Sequence, residues 1–463
     1  MKELVPYQDL VVESRKRENR ALDMIAELVK HPSVAARAGP SMRECADCVE
    51  TQMKGLGYSV RQYPTKGPPV VFGERDVGAA KTILFYEHYD VQPEDPLDEW
   101  TSSPWQLTVR EGRFYGRGAC DTKGPHIANL VGMSLLEDVL GQLPVNVKVV
   151  VEGEEEVGST HLPEFAMPNA SLLKADGAVA EYMVVNPGSL SELMCGTKGC
   201  TYFELTAEGP PDFPRTDAHS GYAGAIQNPA WRLIWALASI KDAKENILIE
   251  GFKNLVREPS SEDIAALRDT ERNLKRNFED TYGSTKMVLD RDGVDLKKAV
   301  YLEPCVSVCG IESGYNGPGT KTITPARAMA KVDFRLVPDL TEEKVEALLR
   351  AHLEKNGFSD IRVALVDSGY DPAKTPIDNP FIQLVRTTAA EVASPALVDL
   401  VPMAPWSGPM HLFAPHAPFC VMVSEADAGV NAHAPDENWA VSSMLNTAAF
   451  VALVAERMAT KLT

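Results

Sequence analysis

Three apolar runs in this chain each give way to acids or a histidine where the run stops. Residues 82–86 lead into Glu87-His88-Tyr89-Asp90, and residues 147–151 lead into Glu152-Gly153-Glu154-Glu155-Glu156. A third run, Gly177 to Tyr182, carries Glu181 near its end. All three read as strands, the first two as buried ones. Between those two, Gly124 to about Leu140 sets Ile127, Leu130, Val131, Leu135 and Leu136 at helical spacing. Strand, helix and strand in repetition predict an α/β fold: a mostly parallel sheet with helices on both faces. Open sheets of that kind place active sites outside the carboxyl ends of their strands. Imidazole and carboxylate grouped there are the donors that zinc or a similar divalent ion takes.

A length of 463 residues exceeds one ordinary core and predicts two domains, or one domain with a large insertion. The pattern changes after Glu181. Thr201 to Thr206 alternates like a half-exposed strand, and Pro229 to Ile240 reads as a helix containing Trp231, Ile234, Trp235 and Leu237. A charged helical stretch follows near 261–278, then strands at 303–309 and 326–336, a helix at 341–355 and a strand at 361–366. This block predicts a small α+β sandwich. The chain closes with a helix from about Val441 to Lys461. Residues 17–30 predict a further helix through Ala21, Leu22, Ile25, Leu28 and Val29.

Composition narrows the function classes. With 44% apolar and 24% charged residues the chain reads as a soluble globular protein. No stretch approaches the roughly 18 apolar residues of a membrane span, and Met1-Lys2-Glu3-Leu4 has no signal-peptide core, so a cytoplasmic protein is expected. A net charge of −19 argues against nucleic acid, whose phosphates need a basic face. Cys45 and Cys48 form a CxxC with no second pair, and read as two positions on one helix face. Cys120 reads as a small buried residue.

His88 and Asp90, two apart in an extended segment, point the same way. The imidazole can then bind a metal while the Asp90 carboxylate orients its other ring nitrogen. Asp121 follows Tyr115-Gly116-Arg117-Gly118, whose small residues allow close backbone approach. The Lys-Gly that follows does not complete a GxxxxGK[ST] phosphate loop.

Taken in order from His88 to Trp439, these motifs resemble the M20 family of dinuclear metallopeptidases. His88-Tyr89-Asp90-Val91-Gln92-Pro93 and Tyr115-Gly116-Arg117-Gly118 point to its carnosinase-like and dipeptidase branch. The resemblance implies a lid and dimerisation domain inserted in a catalytic domain, a division into 1–197, 198–375 and 376–463, and two divalent ions per subunit, zinc first, with manganese or cobalt as alternatives. It implies His88, Asp121, Glu156, Glu181 and His433 as ligands, with Asp121 bridging both ions. Two +2 ions about 3.5 Å apart repel by roughly 19 kcal/mol at an effective dielectric of about 20, so a shared carboxylate is needed to offset part of that. The pattern Glu-Gly-x-Glu-Glu aligns Glu155 with the general base and Glu156 with a ligand, leaving Glu154 surplus; a shift of one residue would exchange these roles. Glu181 is preferred to Asp176, which precedes its apolar run. His433 lies in Asn431-Ala432-His433-Ala434-Pro435-Asp436-Glu437, with Asp436 where the family has Asn. Thr122 stands where the branch has a second Asp, and Glu87 where Gly is common.

The implied reaction is hydrolysis of an amide bond in a small substrate with a free carboxylate. Glu155 would take the proton of the attacking water and pass it to the leaving nitrogen. His219, in Thr216-Asp217-Ala218-His219-Ser220-Gly221, would stabilise the oxyanion from the inserted lid of the other subunit of a homodimer. Arg335 would hold the substrate carboxylate, with Thr322 and Ser407 nearby. A dipeptidase is expected; the alternatives are an N-acyl amino-acid deacylase and, in another class, a catalytically silent peptide-binding or scaffold homologue.

Overall fold

The computed structural model describes residues 4–37, 39–366, 369–427 and 429–462. Met1–Glu3, part of the segment read above for a signal peptide, lie outside the described residues.

Valine-rich and aromatic runs supply the central sheet. β-Branched and aromatic side chains fit a pleated surface covered on both faces. Eight strands lie in the order Ser59–Tyr63, Val70–Arg75, Asn146–Glu152, Thr82–His88, Gly177–Met183, Phe419–Ser424, Ser191–Met194 and Val398–Val401. Thr82–His88 runs parallel to both Asn146–Glu152 and Gly177–Met183, and Phe419–Ser424 continues parallel to Gly177–Met183. The first two strands form an antiparallel hairpin at one edge. The expected mostly parallel sheet is therefore present, with an antiparallel margin.

Alternate side chains enter opposite layers, as the period of a strand requires. Ile83 and Phe85 join one core with Ile127, Leu130, Phe381 and Phe450. Leu84 and Tyr86 join another with Leu162, Phe165, Met410 and Phe413. The first core is covered by helices Tyr7–Arg15, Glu18–Val29, Pro40–Gly55, Lys123–Leu140, Pro380–Ala393 and Val441–Lys461. Cys45 and Cys48 both lie on helix Pro40–Gly55 and are free thiols. Lys123–Leu140 packs closely on Val441–Lys461, where a Cβ on Gly132 would sit 2.6 Å from the Ala448 carbonyl oxygen.

A second, antiparallel sheet has the order Cys305–Ser313, Arg327–Leu336, Gly199–Glu208 and Arg362–Leu365. Helices Pro229–Ile240 and Glu342–Lys355 bury Leu233, Ala236, Val345 and Leu349 in a core shared with this sheet. The outer face of Pro229–Ile240 leaves Trp231, Ile234 and Trp235 about half exposed, the two indoles stacked 6.0 Å apart. The helical stretch expected near 261–278 is two helices, Ser261–Asp269 and Leu274–Tyr282. The break has a tertiary cause: the Asp399 carboxylate accepts from the amides of Glu271 and Arg272 at 2.9 and 3.0 Å. Leu267, Leu274, Leu296 and Tyr301 join the core of the large sheet. This stretch therefore leans on the eight-stranded sheet.

Because three parallel strands end on the same edge, His88, the Glu155–Glu156 turn and Glu181 arrive together.

Candidate metal centre

The ligand segments are set by the main chain first. His88 ends its strand and is 1% exposed. Its Nδ1 lies 3.0 Å from the Asp90 carbonyl oxygen and 3.4 Å from Asp90 Oδ1. The closer partner of the ring is thus the main chain. The fully buried Asp90 carboxylate instead accepts from the amides of Glu155 and Glu156, at 3.2 and 3.0 Å. Asp90 therefore ties the end of one strand to the turn after the next. Thr122 is also engaged here, its hydroxyl donating to the His88 carbonyl at 3.0 Å.

The Asp121 loop is held by a residue to which sequence reasoning gave no role. Glu437 Oε1 accepts from the amides of Cys120 and Asp121 at 3.0 and 3.1 Å. Its Oε2 accepts from Gly118 N–H at 3.0 Å and from Arg117 Nη1 at 2.7 Å. Arg117 and Glu437 are each 1% exposed. Gly118 has φ +87, and a Cβ there would lie 2.8 Å from Lys123 Cδ, so glycine is required. Cys120 is buried, as expected, with Sγ 3.3 Å from Glu437 Oε1.

On this frame the side chains converge as two sets. Donor atoms of His88, Glu155 and Glu181 lie within 4.8 Å of one another, as do those of Asp121, Glu156 and His433. Asp121 joins the sets: Oδ1 is 3.1 Å from His88 Nε2 and Oδ2 is 2.9 Å from His433 Nε2. One oxygen toward each imidazole is the disposition that a bridging carboxylate needs. Glu156 Oε2 is 3.2 Å from His433 Nε2 and accepts from Gln92 Nε2 at 2.9 Å. Glu154 faces elsewhere, accepting from His161 N–H at 3.1 Å, with its Oε2 2.9 Å from His161 Nδ1. Glu155 and Glu156, not Glu154, enter the cluster.

Burial and crowding show in the acid–base balance. Burial pushes the Glu181 carboxyl up to about 7, and burial together with the Glu181 charge holds Glu155 well above the usual range. Burial alone would raise Asp121 too, but His433 and His88 hold it well below. Hydrogen bonds to Asp121 and Glu156 lift His433 to about 10. Four carboxylates and two imidazoles packed this closely form a donor set suited to divalent cations, which would neutralise the acids.

The other expected residues fall in two places. Arg335 donates from Nε to Asp333 at 2.8 Å and from Nη1 to Ser407 Oγ at 3.2 Å, and its side chain is 37% exposed. His219 is exposed on a two-stranded ribbon with Ile323–Thr324. Its Nδ1 accepts from Gly221 N–H at 3.0 Å, and its ring lies 6.2 Å from that of Tyr222. Thr322 joins that ribbon, its carbonyl accepting from Ser220 N–H at 3.0 Å. No metal-ligand candidate is among these partners. Tyr370 adds a contact that motif spacing had not indicated, donating to the Glu155 carbonyl at 3.0 Å.

The peptidase family M20/M25/M40 matches residues 84–457, which include every one of these candidate ligands. The chain belongs to that family. It is 33% identical over 315 residues to the Beta-Ala-His dipeptidase of Rattus norvegicus, a match covering 65% of this chain and 61% of that enzyme. To the Cys-Gly metallodipeptidase dug1 of Schizosaccharomyces pombe it is 30% identical over 363 residues, covering 73% and 74%. Among solved M20 structures, the metallo-carboxypeptidase Sso-CP2 of Sulfolobus solfataricus superposes with a TM-score of 0.84 at 32% identity, covering 94% of this chain and 99% of that one.

Proposed function

We propose that the chain is a metal-dependent dipeptidase whose cluster holds two divalent ions, zinc first, with manganese or cobalt as alternatives. The observation that carries this reading is Asp121, which offers one oxygen to each of two histidine-and-carboxylate sets. His88, Glu181 and Asp121 would hold one ion; Asp121, Glu156 and His433 would hold the other. When bound, the ions make a water acidic and polarise the scissile carbonyl. Glu155 accepts the proton of the attacking water on its carboxylate and returns it to the leaving nitrogen. Since Asp121 Oδ1 already stands beside His88 Nε2, the first set has a third donor without Glu155. Asp90 acts through the main chain, fixing the amides on which Glu155 and Glu156 ride.

Arg335, steadied by Asp333 and Ser407, would hold the substrate carboxylate, with Thr322 on the adjoining ribbon. His219 would serve the site of a second subunit, and its exposure, with no candidate ligand among its described partners Gly221 and Tyr222, supports that reading. The exposed Trp231–Trp235 face and the open edge strand Cys305–Ser313 support a homodimer through the inserted domain. The corresponding division is 1–197, 198–375 and 376–463. The cysteines are free thiols, which suits a reducing compartment such as the cytoplasm. No described helix is long and apolar enough to cross a membrane.

The relatives named as dipeptidases favour this reading over an N-acyl amino-acid deacylase. Metal-stripped protein, reloaded with zinc, manganese or cobalt, is to be tested on dipeptides and N-acetyl amino acids. Dipeptide turnover at least tenfold above acetyl-group release is expected. The reverse order would make it a deacylase, and no turnover of either class would leave only the silent homologue.

A further inference from the structure

Two large cavities differ in their relation to the ligand cluster. The larger, about 820 Å³, is lined by residues of 257–263, 337–344 and 371–378 and by none of the ligand segments. The other, about 600 Å³, touches three of them, the segments of Asp121, Glu181 and His433. It is lined by Cys120 beside Asp121, Tyr182 beside Glu181, Ala432 beside His433 and Trp406 beside Ser407. A substrate with its amide at the ligands and its carboxylate near Arg335 and Ser407 has this cavity alongside. The volume is that of a small-molecule pocket.

The chemistry of its walls is uneven. Trp406 and Tyr182 offer aromatic surfaces, Trp439 being only 2% exposed, and the carboxylates of Glu192, Asp280, Glu425 and Asp427 meet a single guanidinium among the lining residues, Arg272. That guanidinium is already ion-paired with Glu192. Among the described residues, Asp280 has a cation only in a solvent-exposed pair with Arg276, which contributes little. Asp427 accepts from the neutral amide of Asn186, and Arg113, a cation outside the lining, does not outweigh the burial that raises its carboxyl. The cavity thus combines surplus negative charge with the aromatic faces on which cations settle.

We propose, resting on the amide-hydrolase reading, that this cavity receives a substrate side chain and that Asp280, Glu425 and Asp427 select a cationic one of the lysine or arginine class. The long apolar stem lies against Trp406 and Tyr182 and the charged head reaches the acids. Helix Leu274–Tyr282, which brings Asp280, is therefore a specificity element as well as a cover for the sheet.

The test is kcat/KM for Lys-Ala against norleucine-Ala, and for Ala-Lys against Ala-norleucine, because either residue of the dipeptide can be the one housed. In at least one series lysine is expected to exceed norleucine by roughly tenfold, falling with added salt. The double variant Asp280→Asn/Glu425→Gln should lower that ratio about threefold or more, and Glu425→Lys should shift preference toward glutamate. Norleucine equal to or better than lysine in both series, or a ratio unmoved by the variants, overturns the proposal. Should no dipeptide be hydrolysed, the hydrolase reading fails on its own. Calorimetry of the same lysine and norleucine dipeptides with metal-loaded protein then decides the pocket. Tighter lysine binding sustains it, and equal, weaker or unmeasurable lysine binding overturns it.

Discussion

Glu155 and Glu156 are chemically identical neighbours, and the main chain alone separates what they face. With both amides pinned by Asp90, one carboxylate meets His88 and Glu181 and the next meets His433 and Gln92. Glu155→Gln should keep the metal content and lower turnover about 10²-fold or more, since only proton transfer is removed. Glu156→Gln should instead weaken the binding of one ion, as metal analysis after dialysis would show. If the Glu155 variant loses an ion and stays active in proportion, the two roles are exchanged. A second residue ties stability to pH. Glu152 is 1% exposed, accepts from Tyr86 and Ser159 hydroxyls at 2.7 and 2.8 Å, and is lifted by burial from 4.5 to about 8. A carboxyl with a raised folded pKa favours the fold below its unfolded pKa, and that contribution is lost as pH rises through the folded value. Metal-free Glu152→Gln should therefore gain on the native protein, by up to a few kcal/mol, between about pH 4.5 and pH 8. A pH-independent difference in urea midpoint would rule this out. At this scale the sequence was readable where motif and strand end coincide, as at His88. Glu437 was named only as part of a motif, because its work is done on the amides of a loop more than 300 positions away.

The loop that carries Asp121 depends on a buried ion pair. Glu437→Ala would leave the Arg117 guanidinium uncompensated and free the amides of Gly118, Cys120 and Asp121. Breaking one half of such a pair costs about 3–5 kcal/mol, so the urea midpoint should fall markedly and metal affinity with it. A variant with unchanged midpoint and metal affinity would show that the loop holds its shape without Glu437. Long periodic elements such as Pro229–Ile240 and Val441–Lys461 were legible to the residue. Short strands such as Ser191–Met194 and Val398–Val401 were not, since runs of four residues with only two or three apolar ones fit a strand or a helix turn equally well. The 261–278 stretch was misread as unbroken because its interruption comes from Asp399, a contact no local pattern contains.

The whole molecule presents a ligand cluster on one sheet and an exposed His219 on another element. The change of pattern after Glu181 made the second sheet legible. That residues 261–301 lean on the first sheet was not, because an amphipathic helix does not state what it packs against. If His219 serves the partner's site, His219→Ala and Asp121→Ala are each inactive alone. Refolded together they should recover roughly a quarter of native activity, since half of randomly paired dimers are mixed and each has one complete site. Mixed dimers without activity would place His219 in its own chain's site or outside the reaction. The central claim is that one aspartate joins two ion sites. It is tested most directly by titrating metal-stripped protein with zinc or manganese while following dipeptide turnover and bound metal. The account predicts saturation of both at two ions per chain. Saturation at one ion, or two bound ions with no turnover of any dipeptide, would contradict it.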